Sequence, residues 1–250
     1  MTNDIEKIIA EKVPCYFISP HLDDAMLSSG ALITYLADKV PVTVITIFTE
    51  ASSRPHTISA LQFLKQCGYQ DAQALFADRK LEDIRACKLA GVQYKHLGYV
   101  DALFRKKDGL LGKLFGAYLP ELAHVNPTYR FHIVRGAVSF ADRILTQGIT
   151  LTIKHMLPAD GKYAIFGPMA QGNHLDHRIG RNVCKELSGS MYSWLDYPYC
   201  IRDEVAVKDE PRFAWSGNVE QKAEIIQCYT SQVKAMFGPN KVELVDELYY

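Results

Sequence analysis

The chain has 250 residues, of which 48% are hydrophobic and 22% are charged, a composition typical of a globular protein with a substantial core. Its 28 lysines and arginines equal its 28 aspartates and glutamates, so no net charge favours binding to nucleic acid or to an anionic membrane. The six cysteines form no C-x-x-C pair, which indicates reduced thiols and a cytoplasmic protein rather than a disulfide framework.

The first elements of the chain predict one βαβ unit. Residues 15–19, CYFIS, form a short apolar run that suits a buried parallel strand, and residues 25–39 have helical periodicity. The β-branched run 40–48, VPVTVITIF, is typical of the next strand. It is also the longest apolar run and falls short of the roughly 18 residues of a membrane span, so no membrane anchor is predicted. The N-terminal residues have no apolar segment of the kind found in a signal peptide.

The rest of the chain continues the alternation of strands and helices. The predicted elements are a helix over 79–90 after an N-cap at Asp78, a strand over 94–99, a helix around 135–155 in the otherwise unpatterned stretch 102–160, a strand over 163–168, a helix over 177–187 and an amphipathic helix over 218–238. This order predicts a single α/β domain over residues 1–250. The expected architecture is a three-layer αβα sandwich on a mainly parallel, Rossmann-like sheet.

Two clusters of histidine and aspartate follow predicted strands and open predicted helices. His21 and Asp24 stand three residues apart after the first strand, and His174 and His177 have the same spacing after the fourth. Residues at i and i+3 of a helical turn face the same way, and the strand ends of a parallel sheet share one edge. Both pairs are therefore expected to point at one centre. Two imidazoles and a carboxylate form a common zinc site with a fourth position open for water.

Each cluster also has a purely structural interpretation. Asp23 and Asp24 stand at the start of the helix predicted over 25–39, where aspartate is favoured as an N-cap. His174 and His177 could belong to an exposed polar loop. The metal interpretation is favoured because both clusters occupy the same kind of strand-to-helix turn.

The motifs SPHLDDA, at residues 19–25, and GNHLDH, at 172–177, together resemble those of the PIG-L/LmbE-like zinc-dependent deacetylases, which remove acetyl groups from N-acetylglucosamine-type sugars. The first motif of that family is usually A-H-P-D-D-E, and this chain has Leu22 for the proline and Ala25 for the glutamate. Further similarity lies in the segments RKLEDIRACKLAGV, HLGYVD and KAEIIQCYTSQ. Residues 102–160 match no part of the family pattern.

The resemblance assigns a role to each residue of the two clusters. His21, Asp24 and His177 correspond to the zinc ligands, and Fe²⁺ is a second metal that this ligand set accepts. Asp23 corresponds to the general base, which takes a proton from the zinc-activated water. His174 corresponds to the histidine that stabilises the developing oxyanion, a task for which we expect a cationic imidazole.

Three further residues receive roles outside the ligand set. Arg79 and Asp101 fall where the family holds sugar hydroxyls, although Arg79 could also pair with Glu82 on a helix surface and Asp101 could cap a turn. Asp176 is expected to orient His174 from behind the site, with helix capping as its alternative.

The sequence therefore predicts a hydrolase that removes the N-acetyl group from a small-molecule amino-sugar substrate. An amidase of the same fold that acts on a larger N-acyl or conjugate amide is the related alternative. A non-catalytic binder of a nucleotide or sugar is the alternative from another class. No nucleic-acid partner is expected, and the sequence leaves a homo-oligomer open.

Overall fold

The structure is a computed structural model that describes residues 3–107, 118–136, 138–187, 189–202, 209–238 and 242–250. Its strands are β1 (Cys15–Ser19), β2 (Val42–Glu50), β3 (Gln93–Val100), β4 (Ala164–Pro168), β5 (Ser190–Trp194), β6 (Phe213–Trp215) and β7 (Glu247–Tyr249). Its helices are α1 (Asn3–Ala10), α2 (Asp24–Ala37), α3 (Ile58–Cys67), α4 (Ala72–Leu89), α5 (Pro120–Ala123), α6 (Phe140–Lys154), α7 (Leu175–Glu186), α8 (Tyr199–Arg202), α9 (Val219–Ile226) and α10 (Thr230–Phe237). Among the residues described, no helix is both long and apolar enough to cross a bilayer.

The strands form one mixed sheet in the order β3-β2-β1-β4-β5-β7-β6. The first five strands are parallel, and β7 runs antiparallel to both β5 and β6. The chain winds outward from β1 to β3 on one side and from β4 to β5 on the other. The adjacent strands β1 and β4 therefore flank the point where the strand order reverses, which is where open α/β sheets bind ligands.

Helices cover both faces of the sheet. Along β1, Phe17 belongs to one buried apolar cluster together with Leu32 of α2. The next residue, Ile18, belongs to a second cluster together with Ile179 of α7. Because successive side chains of a strand point to opposite faces, the two clusters are the two sides of a three-layer core. The predicted αβα sandwich with a mainly parallel sheet is confirmed.

Two predicted helices have different bounds in the structure. The helix predicted to start after Asp78 begins at Ala72, because the side chain of Asp71 caps it by accepting from the backbone N–H of Ala74 (2.9 Å). The helix predicted over 218–238 is two helices, α9 and α10. The break lies at the buried Tyr229, whose hydroxyl donates to Asp83 of α4 (2.7 Å). The amphipathic pattern alone indicates one continuous helix. The hydrogen bond from Tyr229 to α4 lies where the structure divides it into two.

Candidate active site

The turn between β1 and α2 is held by Ser19 and not by its aspartates. The Ser19 hydroxyl donates to the carbonyl of His21 (2.7 Å) and accepts from the backbone N–H of Ala25 (3.0 Å). Asp23 occupies the N-cap position of α2, yet its side chain makes no capping hydrogen bond. Helix capping is therefore the wrong interpretation of Asp23, whose carboxylate is left for another task.

Asp24 contacts both of the other predicted metal ligands, His21 and His177. Oδ2 of Asp24 lies 3.1 Å from Nδ1 of His21 and 3.3 Å from Nε2 of His177, and all three residues are buried. Ligand atoms at about 2 Å from one tetrahedral zinc ion lie about 3.3 Å from each other. Burial raises the pKa of Asp24, but its contacts with His177 and His21 together hold it below its ordinary value.

Asp196 stands behind His177 and was not predicted. Its Oδ1 accepts from Nδ1 of His177 (2.7 Å), and its Oδ2 accepts from the backbone N–H of Gln171 (3.0 Å). With the His177 proton on Nδ1, the lone pair of Nε2 faces the carboxylate of Asp24. Nε2 of His177 and Oδ2 of Asp24 are then two hydrogen-bond acceptors 3.3 Å apart, and a proton or a cation must lie between them. These two atoms are therefore suited to bind a metal ion.

Asp176 orients His21 and not His174, contrary to expectation. The fully buried Asp176 accepts from the backbone N–H of Ala102 (2.8 Å) and from Nη2 of Arg105 (2.7 Å). Its Oδ2 lies 3.4 Å from Nε2 of His21. An N–H at Nε2 leaves Nδ1 of His21 as a free lone pair toward Asp24, the arrangement that a metal ligand needs.

His174 joins the same centre from the start of α7. One ligand atom from each of His21, His174 and His177 lies within 4.8 Å of the others, so these three imidazoles could also hold a metal ion. Nδ1 of His174 is buried and has no hydrogen-bond partner in the described part of the chain. Burial and the neighbouring imidazoles lower the pKa of His174 well below its ordinary value. This direction favours a neutral imidazole with one N–H to donate over the cationic imidazole expected from the sequence.

Arg79 faces the general-base candidate across the cavity wall. Its Nη2 lies 3.5 Å from Oδ1 of Asp23, and both side chains are buried. Burial raises the pKa of Asp23 to about 6, against the opposing charge of Arg79. Glu82 is also buried and binds elsewhere, so a surface ion pair between Arg79 and Glu82 is the wrong interpretation.

Asp101 lies beside His21 at the same edge of the sheet. Its Oδ2 is 3.5 Å from Nε2 of His21, and its Oδ1 accepts from the backbone N–H of Leu103 (2.8 Å). Burial raises the pKa of Asp101. Asp101 thus stabilises a turn, which was the alternative to a role in substrate binding. Its carboxylate also lines the cavity.

A cavity of about 430 Å³ opens above these side chains. Five buried carboxylates, from Asp23, Asp24, Asp101, Asp176 and Asp196, surround the imidazoles, and two guanidinium groups, from Arg79 and Arg105, contact them. Buried anions in such excess are costly unless a cation compensates them. All the predicted site residues except Asp176 line the cavity. Residues from other parts of the chain join them, including Phe63 of α3, Tyr129, Tyr199 of α8 and Gln232 of α10.

Comparison with known proteins places the chain among deacetylases. The PIG-L family model, described as GlcNAc-PI de-N-acetylase, matches residues 16–188. The 2'-N-acetylparomamine deacetylase of Streptomyces fradiae is 27% identical over 231 residues, which cover 86% of this chain and 72% of that protein. A crystal structure of a deacetylase in the biosynthesis pathway of teicoplanin has a TM-score of 0.71 and 26% identity, covering 91% of this chain and 88% of that one. The zinc-inhibited form of a teicoplanin deacetylase, at 24% identity, a TM-score of 0.70 and coverage of 90% and 86%, supports the fold. The range matched by the family model contains every predicted site residue and excludes Asp196.

Proposed function

The chain belongs to the PIG-L family of GlcNAc-PI de-N-acetylases, and we propose that it uses one divalent metal ion to remove the acetyl group from an N-acetylglucosamine-type sugar or sugar conjugate. The observation that carries this proposal is the contact of Asp24 with both His21 and His177 in the wall of an open cavity, which the carboxylate of Asp23 also lines. The similarity to a 2'-N-acetylparomamine deacetylase supports an acetylated amino sugar as the substrate.

Zinc is the metal that we propose, with Fe²⁺ as the alternative that the same residues accept. His21, Asp24 and His177 would hold it, and Asp176 and Asp196 keep the two imidazoles in the tautomers that binding requires. When bound, the ion supplies Lewis-acid chemistry, which makes water a stronger nucleophile and polarises the amide carbonyl.

The protein groups around the ion move the protons. Asp23 accepts a proton from the attacking water and returns it to the amide nitrogen as the carbon–nitrogen bond breaks, so that acetate and a free amine leave. A pKa of about 6 keeps the Asp23 carboxylate ionised at neutral pH and more basic than an ordinary aspartate. The neutral imidazole of His174 donates its N–H to the carbonyl oxygen as negative charge develops there. Arg79 and Asp101 bind sugar hydroxyls.

The experiment that tests this proposal is a deacetylation screen of the metal-loaded protein on N-acetylglucosamine derivatives. Release of acetate together with an equal amount of new amine supports the proposal. Release of only longer acids from N-acyl analogues would indicate an amidase for larger acyl groups. A protein that releases neither and purifies without stoichiometric metal would be a binding module, and the proposal would be wrong.

We expect His174→Ala to retain the metal and to lower kcat about 100- to 1000-fold, as removal of one oxyanion donor typically does. Metal content and acetate release are measured on the same preparation. His155→Ala, which removes an exposed imidazole at the end of α6, is the matched control and should behave as the wild type. Loss of metal from His174→Ala would instead favour the set of three imidazoles as the ligands.

We expect Asp196→Ala to weaken metal affinity about 10- to 100-fold, the usual cost of losing the acceptor behind a ligating histidine. The reason is that Nδ1 of His177 loses its acceptor, so neither the tautomer nor the ring orientation is fixed. Competition with a chelator measures the affinity, and Asp38→Ala, at an exposed aspartate, is the control. Unchanged affinity would show that Asp196 does not position the ligand.

A further inference from the structure

Gln232 is a buried amide in the wall of the catalytic cavity. It lies in the first turn of α10, only 4% of its surface is exposed, and it lines the cavity that contains Asp23 and Arg79. We propose that Gln232 binds the substrate by accepting a hydrogen bond from a sugar hydroxyl through its Oε1. The inference rests on the proposed function and names the polar group that the substrate presents on this side of the cavity.

The orientation of this amide follows from the hydrogen bonds behind it. The carboxylate of Glu82 accepts from the hydroxyl of Thr230 (2.7 Å), the backbone N–H of Ser231 (2.8 Å) and the hydroxyl of Ser231 (2.6 Å). Since the Ser231 hydroxyl gives its one proton to Glu82, its oxygen has only lone pairs left for Gln232. The atom of Gln232 that lies 3.2 Å away must therefore be the NH₂ nitrogen.

Both hydrogens of that nitrogen are directed into the protein. One goes to the Ser231 oxygen, and the other approaches the sulfur of Cys67 in α3, 3.9 Å from Nε2. Within the described residues, no donor reaches Oε1 of Gln232. The amide therefore offers the cavity an acceptor and no donor, and the partner that fits it is a group that donates a hydrogen bond.

The neighbouring groups indicate what kind of donor fits. Arg79 precedes Glu82 by one turn of α4, Glu82 binds Ser231, the residue before Gln232, and Arg79 and Gln232 both line the cavity. This wall therefore combines the N–H groups of Arg79 with the oxygen of Gln232. A sugar hydroxyl can accept a hydrogen bond and donate one, so adjacent ring hydroxyls can bind both Arg79 and Gln232. The oxygens of an ionised phosphate or carboxylate only accept, so they cannot donate to the Oε1 of Gln232.

The experiment compares the wild type with Gln232→Leu on an N-acetylglucosamine glycoside and on three analogues, each of which lacks one sugar hydroxyl. We expect Gln232→Leu to lower kcat/KM for the parent glycoside on the order of tenfold, the cost of one neutral hydrogen bond. For the analogue that lacks the hydroxyl bound by Gln232, the wild type should already show this roughly tenfold lower kcat/KM. Gln232→Leu should lower kcat/KM for that analogue no further. Gln221→Leu, at an exposed glutamine of α9, is the matched control and should match the wild type on all four substrates.

A purely structural role for Gln232 would produce a different pattern. If Gln232→Leu lost equal factors on the parent and on all three analogues, or lost nothing on the parent, the inference would be overturned while the proposed function stood. If the wild type released no acetate from any of the four, the proposed function would be wrong and this inference with it. Thermal melting checks the folding of the variant, and Gln232→Asn, which keeps the amide but shortens its reach, replaces Gln232→Leu if the latter does not fold.

Discussion

His21→Ala and Asp24→Ala are each expected to purify without stoichiometric metal and to lose deacetylation by at least about a thousandfold. Lewis-acid activation is worth several kcal/mol of transition-state stabilisation, and each 1.36 kcal/mol corresponds to a factor of ten. Either substitution removes one of the three atoms that converge at 3.1 and 3.3 Å, and two remaining ligands hold a zinc ion poorly.

Metal content and acetate release are measured on the same samples, together with thermal unfolding in the presence and absence of added Zn²⁺. Because a ligand that binds only the folded state stabilises it, zinc should raise the Tm of the wild type but not that of either variant. His155→Ala and Asp38→Ala, which remove exposed side chains of the same types, should keep the metal and the Tm response. If Asp24→Ala kept stoichiometric metal while His174→Ala lost it, the three imidazoles would be the ligands.

The convergence of the two clusters could be predicted from the sequence because each depends on local structure. His21 and Asp24 share one turn, and His174 and His177 share another, so the i, i+3 spacing already sets their relative directions. The only distant information needed was that both turns follow parallel strands. Since strand ends of a parallel sheet lie at one edge, that information was also present in the alternation of elements.

The groups behind the ligands could not be predicted, because their roles depend on which strands and helices become neighbours. Asp196 follows β5, whose short sequence SMYSW carries no clear strand pattern, and it reaches His177 only because β5 pairs with β4. An acid directly after a strand, in the segment WLDY, was the one signal available. Asp176 was predicted to support an imidazole, but its partner is His21, from the turn after β1.

Burial of polar residues was the other feature that local patterns did not reveal. Glu82 has the spacing of a surface ion pair with Arg79, yet it is buried because α10 packs on α4 and brings Ser231 to its carboxylate. The same packing places Gln232 in the cavity wall. The charge pattern of a helix predicts how its side chains behave in water. Here α10 covers Glu82 of α4, so hydroxyl and amide groups take the place of water around its carboxylate.

Asp23→Asn is expected to retain the metal and to lower kcat about 100- to 10,000-fold, the usual contribution of a general base. Asparagine has nearly the same shape, so the turn held by Ser19 and the ligand atoms of Asp24 and His21 should be undisturbed. What changes is the ability of the side chain to accept a proton.

Separating the roles of the two adjacent aspartates requires metal content and turnover from the same samples. Asp24→Ala should lose both, whereas Asp23→Asn should lose turnover alone. Asp160→Asn, at an exposed turn, controls for the effect of replacing a carboxylate by an amide. Asp23 makes no capping bond, so its one structural contact of note within the described residues is the ion pair with Arg79, and unchanged metal content and Tm would show that losing the charge of Asp23 has not disturbed the fold. A variant with near wild-type kcat would show that another group takes the proton, even with the ligand set intact.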